Sequence, residues 1–275
     1  MTAARSIVIL IAGGLALAAC GPGDRDSGRA DAEPPGPPDA VVPDAGPVPF
    51  MGAVYAHSYD KLYKVDPDTL DVTLVGEFGW PAGFEEELMT DIAIDRDENI
   101  IGISFGALYA IDKDTAACTY LRSLSEQQFN GLSYIRQPDD TEILVGTGLS
   151  GTLWQIDPTN TDAPVQAGAY GGAMVSSGDL VSVAGLGTVA TVKNGSEVDY
   201  LARIDDTTGA GTIIGSTGYI DIWGIGFWRD KVFGFVATNE FVLIDIHTGV
   251  ATYISTGPEN WAGAGVTTSA PVIIE

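Results

Sequence analysis

The chain is expected to fold as an all-β, five-bladed β-propeller of four-stranded blades, and three observations carry that expectation. A short phrase recurs five times: Leu62-Tyr-Lys-Val-Asp66, Leu108-Tyr-Ala-Ile-Asp112, Leu153-Trp-Gln-Ile-Asp157, Leu201-Ala-Arg-Ile-Asp205 and Phe241-Val-Leu-Ile-Asp245. Its Asp-to-Asp spacings are 46, 45, 48 and 40 residues, and a period in the forties built from short strands and turns is the mark of a propeller blade. Each unit offers four runs of alternating apolar residues separated by Gly, Asp, Asn or Pro, and no run keeps a helical period.

The elements follow in order. Arg5 precedes an uncharged apolar run, Ile7 to Ala19, too short to span a bilayer as a mature helix and suited to the core of a signal peptide over residues 1–19. It ends in Leu17-Ala-Ala-Cys20. That ending resembles the lipobox of a bacterial lipoprotein, which implies that Cys20 is lipidated, becomes the new N-terminus after cleavage, and anchors the chain without a transmembrane helix. Residues 20–49 then turn to Pro, Ala, Asp and Gly, as in Ala32-Glu-Pro-Pro-Gly-Pro-Pro-Asp39. Proline removes backbone donors and apolar content is low, so a disordered, partly polyproline spacer is expected. Residues 50–275 supply the propeller domain, long enough for a large core.

Calling the strands a, b, c and d from the pore outward, the second unit reads Asp91 to Asp95, Ile100 to Ser104, Ala107 to Asp112 and Ala117 to Leu121. The fifth reads Trp223 to Phe227, Lys231 to Phe235, Phe241 to Asp245 and Ala251 to Ile254. The first unit has b (Val54 to His57), c (Lys61 to Asp66) and d (Val72 to Gly76) but nothing before them that can serve as a. At the other terminus, Trp261-Ala-Gly-Ala-Gly-Val-Thr-Thr268 matches the Trp-Gly pattern of the fifth a strand. The C-terminal strand is therefore expected to complete the first blade, closing the ring and removing an exposed edge.

The recurring Asp opens a turn from c to d, with continuations such as Asp206-Thr-Thr-Gly209 and Ile246-His-Thr-Gly249. A carboxylate there accepts backbone N–H bonds across the turn, and glycine supplies positive φ. These five Asp are read as structural. The phrase resembles propeller repeats of the YVTN, NHL or SMP-30-like kind, and that resemblance implies the blade fold rather than an activity.

Composition narrows the partners. The folded part carries 31 acidic and 10 basic residues, a field that repels nucleic acid and anionic lipid, so no nucleic-acid partner is expected and the membrane is met through the lipid anchor alone. With Cys20 lipidated, Cys118 is alone in a strand-like run and is read as a small buried hydrophobe.

In a propeller the d-to-a and b-to-c loops share the top face. The pore mouth there is expected to collect Asp91, Asn130, Ser177, Trp223 and Trp261 from the starts of the a strands, with Trp80, Asp221, Glu259 and Asn260 from the loops. Aromatic rings beside amides and carboxylates are the mixture of a ligand site; Trp223 and Trp261 equally suit a plug in a narrow pore. Catalytic readings are thinner. His57 and His247 are placed on opposite faces, which denies a histidine triad or a histidine-rich metal site. Asp95-Arg-Asp-Glu-Asn99 has the oxygen alternation of a calcium loop without its glycine bend and distal Glu, and is read as a hairpin turn. Glu85, Glu86 and Glu87 could join Asp91 and Glu259 as paired carboxylates for sugar hydrolysis, and Asp91, Asn130 and Asp221 could imitate the central metal site of the SMP-30-like lactonases. The expected function is a surface-tethered, non-catalytic module that binds a protein, glycan or small molecule at the top face, without a cofactor, in the bacterial cell envelope. The alternatives are a metal-assisted hydrolase or lactonase at the same mouth and a structural envelope lipoprotein.

Overall fold

A computed structural model describes residues 52–84, 86–124 and 128–273 of the 275-residue chain. The expected signal segment, Cys20 and the spacer of residues 20–49 lie outside the described residues, as does Glu85.

Among the described residues, twenty strands form five four-stranded antiparallel sheets. The first blade contains β1 (Val54–His57), β2 (Lys61–Val65) and β3 (Val72–Glu77). The second contains β4 (Met89–Ile94), β5 (Ile100–Ser104), β6 (Ala107–Ile111) and β7 (Cys118–Ser123). The third contains β8 (Gly131–Arg136), β9 (Glu142–Thr147), β10 (Thr152–Ile156) and β11 (Val165–Ala169). The fourth contains β12 (Met174–Val183), β13 (Gly187–Asn194), β14 (Asp199–Ile204) and β15 (Gly211–Ser216). The fifth contains β16 (Ile222–Trp228), β17 (Lys231–Val236), β18 (Glu240–Asp245) and β19 (Ala251–Thr256). The expected five-bladed propeller is the observed fold.

Ring closure is the expected one. The last strand, β20 (Gly263–Gly265), pairs with β1 in the register Tyr55↔Gly265, Ala56↔Ala264 and His57↔Gly263, giving the first blade the order β20-β1-β2-β3. The first and last described strands thus meet inside one sheet, and among the described strands no a-strand edge is left open. Just before β20, Trp261 is fully buried, edge-on to Tyr63 at 5.3 Å and to Phe235 at 5.3 Å, with its indole N–H donated to Asn239 O at 3.1 Å. It therefore fastens blades one and five together from within the core.

Beyond β20 the chain seals the bottom of the pore. Thr267 bridges Ile94 and donates its hydroxyl to Asp95 O of blade two; Thr268 bonds Glu142 of blade three, and its carbonyl receives Ala184 N of blade four; Pro271 O receives Arg229 N of blade five.

The recurring Asp does what turn chemistry asks of it. Asp112 Oδ1 accepts Asp114 N, Thr115 N and the Thr115 hydroxyl at 2.8–3.0 Å, and Asp205 Oδ1 accepts Thr207 N, Thr208 N and the Thr208 hydroxyl. Asp66, Asp157 and Asp245 close the corresponding turns. The positive φ that follows is glycine only in part: Gly209 and Gly249 hold it in blades four and five, but Leu70 and Ala116 hold it in blades one and two. In each of the five blades the c–d pair carries a bulge at the same place, between Leu62 and Tyr63 in the first and Leu108 and Tyr109 in the second, so the repeated phrase also encodes a local twist. Asp95 likewise closes the β4–β5 hairpin, its carboxylate accepting Asp97 N, Asn99 N and the Asn99 amide. Cys118 opens β7 as a buried residue.

Candidate ligand pocket at the channel mouth

The inner strands set the site. Register places Asp91, Gly131, Gly224 and Gly263 at equivalent positions, opposite Ile103, Thr147, Phe235 and His57 of the adjacent b strands. Asp179, one residue before the Leu180↔Ala190 pair and bonded to Thr191, holds that position in blade four. Around the axis the ring therefore reads Gly, Asp, Gly, Asp, Gly from blade one. Glycine is needed because the strands converge: a Cβ on Gly224 would lie 2.4 Å from Gly263 C, and one on Gly263 would lie 2.3 Å from His57 Nε2 and 2.5 Å from Asp91 Oδ1.

The two ring aspartates are fully buried and, although their blades are not neighbours, lie close enough across the pore to shift each other's pKa. Each also ties its blade to the next. Asp91 Oδ2 accepts Leu132 N at 2.5 Å, while Asp179 accepts Leu180 N at 2.6 Å and Ile225 N at 2.7 Å through its two oxygens. Asp91 Oδ1 meets no N–H or O–H donor. Both carboxyls are pushed above the usual range by burial, and that of Asp91 also by the charge of Asp179. Asp91, with its free oxygen, is therefore the member that holds a proton more tightly, and Asp179, with two N–H donors, the member that ionises first.

His57 faces this pair. Its Nδ1 lies 2.8 Å from Ser58 O, which can only accept, so Nδ1 carries the hydrogen and Nε2 is a bare acceptor 3.9 Å from Asp91 Oδ1. Burial lowers its pKa to about 4, which leaves the ring neutral at neutral pH.

Above the ring the pore opens into a cavity of about 510 Å3. Its walls are mainly apolar. Tyr59, Phe105 and Leu149 come from the b-to-c loops of blades one to three, Val175 from β12, and Trp223 from β16, its ring tilted against Tyr59 at 6.4 Å between centroids. Phe105 is 50% exposed and Leu149 70% exposed, which is unusual for such side chains in tight polar turns. Polar groups are few and placed. Lys193 Nζ pairs with Asp221 Oδ1 at 2.8 Å on one wall. Ser177 donates to Asp199 Oδ1 at 2.6 Å, and Asp199 Oδ2 accepts Ile222 N at 2.7 Å; burial lifts the Asp199 pKa to about 6. The Asn130 side-chain oxygen is buried at the cavity wall without a hydrogen-bond partner.

Of the nine ligand residues expected from the sequence, Asn130, Ser177, Asp221 and Trp223 line this cavity. Asp91 lies beneath it: Thr90 lines the wall and Asp91 follows. The other four stand elsewhere. Trp80 packs edge-on to Tyr109 at 5.0 Å, Glu259 holds Lys61 at 2.5 Å, Asn260 is exposed outside the cavity, and Trp261 is the core residue described above. The strand starts also differ from expectation: β4 begins at Met89 and β12 at Met174, ahead of bulges that re-aim Asp91 and the Ser177 segment, β16 begins one residue early at Ile222, and β8 and β20 begin one and two residues late, at Gly131 and Gly263. Asp91, Asn130 and Asp221 do not converge as a ligand set: Asp91 is engaged at the pore centre and Asp221 by Lys193. Among the described residues no three His, Cys, Asp or Glu side chains are gathered within reach of one metal ion.

No protein-family model matches the chain, and no curated protein matches it. Solved structures do. A chain of the nidogen/laminin complex is 9% identical over 78% of this chain and 98% of its own, with a TM-score of 0.52. The likeness is one of fold. A symmetrical protein studied for its de novo evolutionary emergence reaches 0.49 at 14% identity, covering 82% of this chain and all of its own. A putative 6-phosphogluconolactonase from Bacteroides fragilis reaches 0.37 at 15% identity, covering 80% of this chain and 71% of its own.

Proposed function

We propose that this chain is a binding module, not an enzyme, that takes its ligand in the cavity at the open end of the propeller, and that it works tethered to a bacterial envelope membrane through lipidated Cys20. The observation that carries the reading is the cavity itself, about 510 Å3, ringed by Tyr59, Trp223 and the exposed Phe105 and Leu149, with an unpaired acceptor on Asn130. Ligand sites are concave, mostly apolar and furnished with a few fixed polar groups. The C-terminal tail supports the same end, since it crosses the bottom of the ring and occupies the pore there with bonds to blades two to five. Two of the polar groups are engaged in structure: Ser177 donates to Asp199, and Asp91 accepts from Leu132 N. The repeat phrase supports a propeller of the YVTN, NHL or SMP-30-like kind, and Leu17-Ala-Ala-Cys20 supports the anchor.

The test is a fragment screen on the purified chain, read by ligand-detected NMR, with hits repeated on Trp223→Ala. Loss of an aromatic anchor from a desolvated patch should weaken hits by about 2 kcal/mol, roughly 30-fold. Hits that bind Trp223→Ala and the parent alike would place the site elsewhere.

A further inference from the structure

Resting on that reading, we infer that the ligand of this cavity carries a primary ammonium group on an apolar body. Three features of the mouth point to that chemistry. The first is its charge. Lys193, on the wall, is matched by Asp221 at 2.8 Å and by Glu197 at 4.0 Å, and Lys61, next to the mouth residue Tyr59 and Asp60, lies between Asp60 at 3.2 Å and Glu259 at 2.5 Å. Each lysine near the opening thus faces two carboxylates. Below the floor lies the buried pair Asp91 and Asp179, which follow the cavity residues Thr90 and Gly178 in sequence and, among the described residues, meet no lysine or arginine.

The second feature is the bare acceptor. Asn130 lines the cavity, and its Oδ1 is buried and has no donor. A ligand N–H+ completes it, and a hydrogen bond from a charged donor is roughly twice as strong as a neutral one. An alcohol completes it more weakly, and a carboxylate meets it as acceptor against acceptor. The third is the ring pair of Tyr59 and Trp223, whose faces attract a cation while their area and the side chains of Phe105, Leu149 and Val175 cover an apolar body. A cation, an acceptor and an apolar enclosure are one ligand class, and the acidic surface of the domain raises its local concentration at the mouth.

The experiment is calorimetric titration of the full chain with four matched probes: 2-phenylethylammonium, its N-trimethyl form, 2-phenylethanol and 3-phenylpropionate. The primary ammonium should bind at least about ten-fold more tightly than the alcohol, from the charge-assisted bond and the cation–π contact together, and the propionate should not bind. The trimethyl form keeps the charge but has no N–H, so it should fall between the ammonium and the alcohol. Affinity should drop at high salt, drop again in Asn130→Ala, and rise in Asn130→Asp. If the alcohol or the acid binds as tightly as the ammonium and Trp223→Ala abolishes that binding, the cation preference is wrong while the cavity remains the site. If no probe binds although the fragment screen yields Trp223-dependent hits, the cation preference is likewise wrong. If neither experiment gives a Trp223-dependent ligand, both readings fall.

Discussion

Replacing one ring carboxyl with an amide separates the two members of the central pair. Asp91 uses one oxygen on Leu132 N while the other meets no donor, so asparagine at 91 can accept from Leu132 and set its NH2 on the free side with no bond lost. Asp179 uses both oxygens on backbone N–H groups, from Leu180 and Ile225. Asparagine at 179 must set an NH2 against one of them, leaving a buried donor unpaired at a cost of about 1–3 kcal/mol. At the scale of a domain this size, each kcal/mol moves the midpoint by about 2–4 °C. Asp179→Asn should therefore melt about 2–12 °C below the parent, and Asp91→Asn close to it at pH 6.

The pH dependence gives the sharper contrast. A carboxyl raised in the folded state binds more protons there than in the unfolded chain, so its contribution to stability falls as pH rises from about 4 through the folded pKa. The pair and Asp199, with its pKa near 6, both act in that direction. His57 acts oppositely: its folded pKa of about 4 against 6.5 means that stability rises with pH across that window, by about 3 kcal/mol in all. Asp199 and His57 nearly offset each other, so the net decline with rising pH belongs to the pair. Asp91→Asn removes the carboxyl that holds its proton more tightly and should flatten it. Urea unfolding of the parent and both variants from pH 5 to 9 checks this. Equal destabilisation by the two amides, or an unchanged slope in Asp91→Asn, would refute the assignment of the proton.

Other expectations follow from the same contacts. Deleting residues 260–275 removes β20, the bottom seal and Trp261; the Trp burial alone is worth about 4–6 kcal/mol at ~25 cal/mol per Å2, and a truncated chain melting with the parent would contradict the closure. Asp205→Ala opens a c-to-d turn and should lower the melting temperature while leaving ligand affinity unchanged. Those turn carboxyls are held below their ordinary pKa by the bonds they accept, so their contribution is lost as pH falls below about 4; acid titration of Asp205→Ala should show a shallower loss of stability than the parent. Cys20→Ser should abolish incorporation of labelled fatty acid, and unchanged labelling would remove the proposed anchor.

The blades were legible because the phrase ending in Asp66, Asp112, Asp157, Asp205 and Asp245 encodes a local event, a strand, a bulge and a capped turn, that each unit completes on its own. Closure was legible for a related reason, a missing strand at one end and a spare one at the other. The pore was read less well. Trp261 precedes a strand in a Trp-Gly pattern like that of Trp223, yet one fills an inter-blade core and the other lines the mouth, a difference set by packing between blades that lie far apart in sequence. Asp179 was overlooked because its role depends on Asp91, 88 residues earlier. The signal was present: Gly131, Gly178, Gly224 and Gly263 mark where the a strands converge, and a carboxylate beside such a glycine faces the axis. Phe105 and Leu149 carried a signal too, being large apolar residues in turns that otherwise take small polar ones.

The central claim is that the ligand sits in the cavity between Tyr59 and Trp223, and a crystal structure of the protein soaked with its tightest hit tests it most directly. The account predicts density inside the cavity, with a polar atom of the hit within hydrogen-bond distance of Asn130 Oδ1 and its apolar part against Trp223. Density at the bottom turns around Asp205 and Asp206, with the mouth empty, would contradict it.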